Sequence, residues 1–110
     1  MNTRKYSKSQ ESKVAKNLKG ARQLNSGATP FYKGDVKTGQ FLIECKTAVT
    51  LKDSISIKAE WLEKLRQEAF AMSRPHWAVA FNFGGLNNSN NFYIIDESLF
   101  KLLVSTLEEM

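Results

Sequence analysis

Cysteine and histidine are almost missing: Cys45 and His76 are the only ones in 110 residues. One thiol excludes an internal disulfide, and one thiol with one imidazole cannot build a Cys/His zinc cluster. No apolar run approaches the ~20 residues needed to cross a bilayer. Residues 1–10 are polar and lack the apolar centre of a secretory signal. Internal repeats and low-complexity linkers are also absent. Together these absences lead us to expect a reducing, cytoplasmic protein that does not engage a membrane. A hydrophobic share of 42% over this length is enough for one compact core and too little for two. A single domain over residues 1–110 is therefore expected, with residues 1–8 as a flexible basic arm.

Acidic residues are scarce where basic ones gather. Through Arg22 the chain carries Arg4, Lys5, Lys8, Lys13, Lys16, Lys19 and Arg22 against Glu11 alone, within a formal net charge of +5. Beyond Arg22, nine basic residues face ten acidic ones. The whole excess sits in the first fifth of the chain, a plausible footprint for phosphates. A solvated basic segment would look the same.

Ser7-Lys8-Ser9-Gln10 fits a capping box, so a helix is expected from Ser7 to about residue 18, ending at a left-handed Gly20. Its inward stripe reads Glu11, Val14, Ala15, Leu18. Glu11 is the odd member: either it lies at the wet end of the stripe or it faces a cation. Short strands are expected at residues 21–24 and 33–37, then a third at residues 41–46. A turn at Thr38-Gly39 would put Asp35 opposite Leu42. Strand side chains alternate, so Asp35, Leu42, Glu44 and Lys46 share one face, while Phe41, Ile43 and Cys45 take the other. Residues 54–57 read as a short strand or helix lead-in, with Ser54 and Ser56 as caps. Residues 58–72 read as an amphipathic helix with Trp61, Leu62, Leu65, Ala69 and Met72 inward. Strands at residues 77–83 and 92–95 follow, Trp77, Val79, Phe81 and Phe83 being core positions. Asp96 caps a last helix that is apolar over more than one face, which suggests a subunit interface. The order αβββαββα implies one α/β (α+β) domain around a mixed central sheet flanked by helices.

Phosphodiester hydrolysis needs an activated water, neutralised phosphoryl charge and help for the leaving oxygen. Carboxylates holding a hard divalent ion meet the first two needs. Asp35 and Glu44 can supply the oxygens. Lys46, one pleat beyond Glu44, can orient the water or balance developing charge, and Glu11 is a further candidate ligand. The plainer reading is a solvated hairpin with an ordinary ion pair.

Gly34-Asp35-Val36 followed by Phe41-Leu42-Ile43-Glu44-Cys45-Lys46-Thr47 resembles the PD-(D/E)xK nuclease superfamily. With Glu11 and Ser26-Gly27, the set resembles archaeal Holliday-junction resolvases and their phage-type relatives. Gly34 stands where the motif name has proline, and the interval from Glu11 to Ser26 is shorter than in the archaeal enzymes. The resemblance implies a restriction-endonuclease-like core and a divalent-metal-dependent endonuclease. It implies Mg2+ or Mn2+ on Asp35, Glu44, the Cys45 carbonyl and Glu11, with Lys46 as catalytic lysine. It further implies Ser26 at a phosphate or the metal shell, a branched DNA substrate and a homodimer. Lys13, Lys16, Arg22 and Lys33 are the basic residues expected on the DNA backbone. Two alternatives stand beside this: the same fold cutting duplex or single strands, and a non-catalytic DNA-binding or accessory protein. A third is a structural protein working through its apolar last helix.

Overall fold

A computed structural model of the chain describes residues 3–23, 35–85 and 90–110. The elements are α1 (Thr3–Leu18), β1 (Ala21–Arg22), β2 (Val36–Lys37), β3 (Phe41–Lys46), α2 (Ala59–Ala71), β4 (His76–Phe81), β5 (Phe92–Ile94) and α3 (Glu97–Glu108). This is the expected order. The five strands form one sheet in sequence order. Every pairing is antiparallel except β3 with β4, which α2 connects. The molecule is an α+β domain with a mixed sheet and three helices. Among the described residues, no helix is long and apolar enough to cross a membrane.

Parallel strands bury both faces under their crossover elements, and β3 and β4 follow that rule. On one face Val14 of α1 packs with Val36, Ile43, Ala78 and Ala80. On the other, Leu65 and Ala69 of α2 pack with Leu42 and Val79. The alternation therefore splits the hairpin as expected, with Ile43 and Cys45 under α1 and Leu42 and Glu44 toward α2. In β4, Ala78 and Ala80 are as buried as Val79. The core is thus not confined to the Trp77, Val79, Phe81, Phe83 series, and β4 itself stops at Phe81.

The first helix departs from expectation at both ends. It begins at Thr3, so residues 3–8, expected in a flexible arm, are helical and Ser7 is no N-cap. Gln10 does not reach back to cap; it is buried against the sheet. At the other end Lys19, not Gly20, takes the left-handed conformation, with φ 55°. Gly20 is needed for a different reason. A Cβ there would lie 2.6 Å from the Lys37 carbonyl oxygen and 3.1 Å from the Thr38 methyl carbon, so only a bare backbone lets α1 turn into β1 beside β2.

The hairpin turn lies one residue later than expected. Thr38 N–H donates to the Phe41 carbonyl at 2.9 Å, and the Thr38 hydroxyl accepts from Phe41 N–H at 3.0 Å, leaving Gly39-Gln40 at the tip. Val36 then pairs with Ile43 and Lys37 with Leu42, so continuing the register puts Asp35 across from Glu44, not Leu42. That is a slip of two residues. A slip of one would have reversed every face; a slip of two reverses none. Further on, α2 starts on Lys58 as N-cap without any side-chain cap bond, so Ser54 and Ser56 do not cap it. Residues 54–57 are an irregular lead-in. The start of α3 is as expected, Asp96 Oδ1 accepting from Leu99 N–H at 2.9 Å.

These features separate two adjacent positions. Gly20→Ala is expected to cost roughly 1–3 kcal/mol through forced displacement of backbone. Lys19→Gly is expected to gain about 1 kcal/mol by removing the Cβ penalty of a left-handed residue. Urea-unfolding midpoints of the two variants check both, and equal midpoints would contradict the close approach at Gly20.

Candidate active site

The ladder between β2 and β3 ends in a side chain. Asp35 N–H donates to the Ile43 carbonyl at 2.9 Å, and the Asp35 carbonyl accepts from Gln23 N–H at 2.8 Å. Its Oδ2 then accepts from Cys45 N–H at 2.7 Å. With its main chain and one carboxylate oxygen held, Asp35 is a rigid acid next to Glu44. The register between β2 and β3, continued by one pair, sets Asp35 across from Glu44 on the same face. Glu44 accepts a salt bridge from Lys46 Nζ at 3.6 Å.

Glu44 is pushed up to about 7, first by burial, then by the negative charge of Asp35, against the pull of Lys46. Glu68 of α2 adds to the push. Burial and the neighbouring negative charge both disfavour the ionised form of Glu44. The Cys45 thiol points toward the α1 side and is driven far above its ordinary range, by burial first and then by Asp35. It acts as a small apolar side chain, as expected.

Lys46 has a neighbour that periodicity alone assigns to the core. Its Nζ lies 4.4 Å from the centre of the Trp61 ring, a cation–π contact. Half-buried Trp61 thus roofs the lysine. A cleft of about 530 Å³ opens here between β3 and α2, with Glu44, Lys46, Trp61, Lys64 and Glu68 among its lining residues. Lys64 and Glu68 carry no signal in the sequence, because on an amphipathic helix they read as ordinary solvent-facing charges.

Glu11 lies elsewhere. Arg22 holds it through Nε at 3.4 Å and through a second guanidinium nitrogen at 3.3 Å. Burial, then the charge of Asp35, raises its pKa, while Arg22 lowers it. It therefore feels the site without joining it. Among the described residues, no three His, Cys, Asp or Glu side chains come together closely enough to hold a metal. Asp35 and Glu44 are gathered as expected; Glu11 is not gathered with them. Arg22, expected on phosphate, is spent on Glu11. Lys16 is exposed and Lys13 half-buried on α1, while Ser26 and Lys33 lie outside the described residues. His76 packs against the Phe41 ring, 5.1 Å between centres, in a structural role.

Comparison with protein-family models, curated proteins and solved structures finds no match to this chain. The geometry stands alone. Two carboxyls and an amine converge on one face of a β-ribbon, at the end of the parallel strands where open α/β sheets place ligands.

The raised Glu44 has a consequence for stability. Folded protein holds this proton more tightly than the unfolded chain, whose glutamates titrate near 4.5. The stabilisation is complete below that value and is lost as pH rises through about 7, at a cost of up to about 3 kcal/mol. In EDTA, wild-type stability is expected to fall between about pH 5 and pH 8, and Glu44→Gln to flatten that slope. Parallel wild-type and variant curves in urea titrations would contradict the assignment.

Proposed function

We propose that the chain is a divalent-metal-dependent endonuclease of the PD-(D/E)xK type, acting on the DNA backbone with Asp35, Glu44 and Lys46 at its centre. The observation that carries the reading is Asp35, fixed by Cys45 N–H at the end of the β2–β3 ladder across from Glu44, with Lys46 Nζ 3.6 Å from Glu44 Oε1. The donor set suits a hard cation. Magnesium is commonly held by one or two carboxylates, its other positions going to water and substrate phosphate. A Glu44 carboxyl whose charge is disfavoured by burial and by Asp35 is also a place where a dication can replace a proton. When bound, Mg2+ or Mn2+ lowers the pKa of a water and polarises the phosphate. Asp35 and Glu44 would hold it, with the Cys45 backbone carbonyl as a further oxygen from β3. Lys46, steadied by Trp61, meets negative charge that develops on the phosphoryl oxygens. Glu11 acts at one remove, by keeping Arg22 and the negative field near Asp35 in place. The fold we assign to this reading is the restriction-endonuclease-like core.

Branched DNA is the substrate we favour, on the sequence resemblance, and the partner is a second copy of the chain. Phe100, Leu103, Val104 and Leu107 of α3 form an i, i+3, i+4, i+7 stripe, the pattern of a helix face that packs. They are 41–66% exposed, while Leu99 is the only buried residue of α3. A twofold pairing of such stripes covers them and supplies two cutting centres for two strands. The competing reading, a non-catalytic DNA-binding protein, draws on one observation: among the described residues no third acid completes a metal-holding group with Asp35 and Glu44.

Incubation with a four-way junction, a linear duplex and a single strand in Mg2+, Mn2+ or EDTA separates the readings. Metal-dependent cuts are expected, falling by on the order of 100-fold or more in Glu44→Gln and in Lys46→Ala. Salt-sensitive binding without cuts would leave the accessory reading, and cuts that persist in both variants would be a contaminant's. Mg2+ is also expected to raise the wild-type Tm near neutral pH, and not that of Glu44→Gln. For the assembly, sedimentation is expected to give a dimer at micromolar protein and a monomer for the Leu103→Glu, Leu107→Glu double variant. A wild-type monomer would remove the interface.

A further inference from the structure

Gln10 sits on the core face of α1, 3% exposed, one turn before Val14. An apolar side chain would suit that position at lower cost, because a buried amide must satisfy its donors and its acceptor. The donors are well supplied. Nε2 faces the Lys46 carbonyl at 2.9 Å, the Ala80 carbonyl at 3.2 Å and Asn91 Oδ1 at 3.0 Å. The acceptor is not: Gln10 Oε1 is buried with no hydrogen-bond partner among the described residues. Three acceptors around the nitrogen fix which way the amide points, and the orphaned oxygen is a continuing cost.

The amide reaches the ends of three strands. Lys46 is the last residue of β3, Ala80 the second-last of β4, and Asn91 immediately precedes β5. A second buried amide, Asn82, extends the tie. Its Nδ2 donates to Asn91 Oδ1 at 3.2 Å, and its Oδ1 accepts from the Thr47 hydroxyl and from Gly84 N–H at 3.0 Å. Asn82 N–H also donates to the Lys46 carbonyl, at 3.3 Å. The carbonyl of Lys46 therefore accepts from Gln10 Nε2 of α1 and from the backbone N–H of Asn82 just beyond β4, while its side chain reaches the cleft between β3 and α2.

We infer that Gln10 is a positioning residue for the reaction, holding the frayable end of β3 so that Lys46 Nζ stays beside the Glu44 carboxyl. This rests on the nuclease reading above. The physical ground is the sensitivity of catalysis to placement: a displacement of about 1 Å costs on the order of 100-fold in rate. Lys46 is followed by irregular chain, so the sheet ladder alone steadies it from one direction only. Gln10 touches neither substrate nor cation. It sets the backbone from which the amine extends.

The test uses the full chain and whichever of the three DNAs the wild type cuts. Gln10→Met keeps the length and removes both donors. Asn91→Ala, at a half-buried loop position, removes one acceptor and the link to Asn82. Single-turnover rate, KM, DNA affinity in EDTA and the fraction folded by circular dichroism are measured together. For Gln10→Met a roughly 10- to 100-fold loss of rate per folded molecule is expected, with KM and EDTA affinity unchanged within about twofold. Asn91→Ala is expected to lose rate in the same sense, by roughly 3- to 10-fold. A purely structural amide would lower Tm and leave the rate of the folded protein alone. Unchanged rate in folded Gln10→Met overturns the inference while the nuclease reading survives. Should Gln10→Met not fold, unchanged rate in Asn91→Ala does the same. A wild type that cuts none of the DNAs overturns both.

Discussion

The hydrogen bond from Cys45 N–H to Asp35 Oδ2 is the constraint on which the candidate site depends. It converts the last rung of an antiparallel ladder into a fixed carboxylate, and it does so across from Glu44. An acid on a mobile loop could swing away from a second acid. Asp35 cannot, because its own N–H and carbonyl are already engaged. The resulting repulsion, with burial, raises the pKa of Glu44. Lys46 relieves part of that repulsion and is itself held by Trp61 on one side and by its backbone on the other.

The surrounding fold explains why such a pair can persist. Two small clusters, one under α1 and one under α2, clamp β3 and β4 from both faces. Polar groups occur at the ends of those strands, where water can reach the cleft side and where buried amides satisfy the backbone on the other. The arrangement keeps charged chemistry at the margin of the core, where desolvation is partial and pKa values shift without the full penalty of burial. Gly84, with φ 98°, lets the loop after β4 pass against the carbonyl of Thr50. Lys52 N–H donates to the Phe83 carbonyl at 2.7 Å and Gly85 N–H to the Ala48 carbonyl at 3.1 Å, which fastens the loop following Lys46 to the loop after β4.

α3 follows a different logic. Only Leu99 turns into the domain, and an apolar arc wider than one packing face needs remains outside. The helix contributes little to the core that holds the site, so its sequence is free to serve contacts beyond the protomer.

Much was legible before any coordinates. Period-two alternation in Phe41-Leu42-Ile43-Glu44-Cys45-Lys46 placed Glu44 and Lys46 together, and even a misjudged turn kept Asp35 on their side, because a two-residue slip preserves faces. Period 3.6 marked α2, and the Asp96 cap marked the start of α3, because caps and periodicity are local. The tertiary structure alone decided the rest. It drew Glu11 to Arg22, since a sequence does not say which cation an acid will meet. It brought Trp61 over Lys46 and Gln10 under it, because contacts between residues 15 and 36 apart depend on how helices cross a sheet. In short, residue order determined which side chains share a surface; packing determined which of them touch.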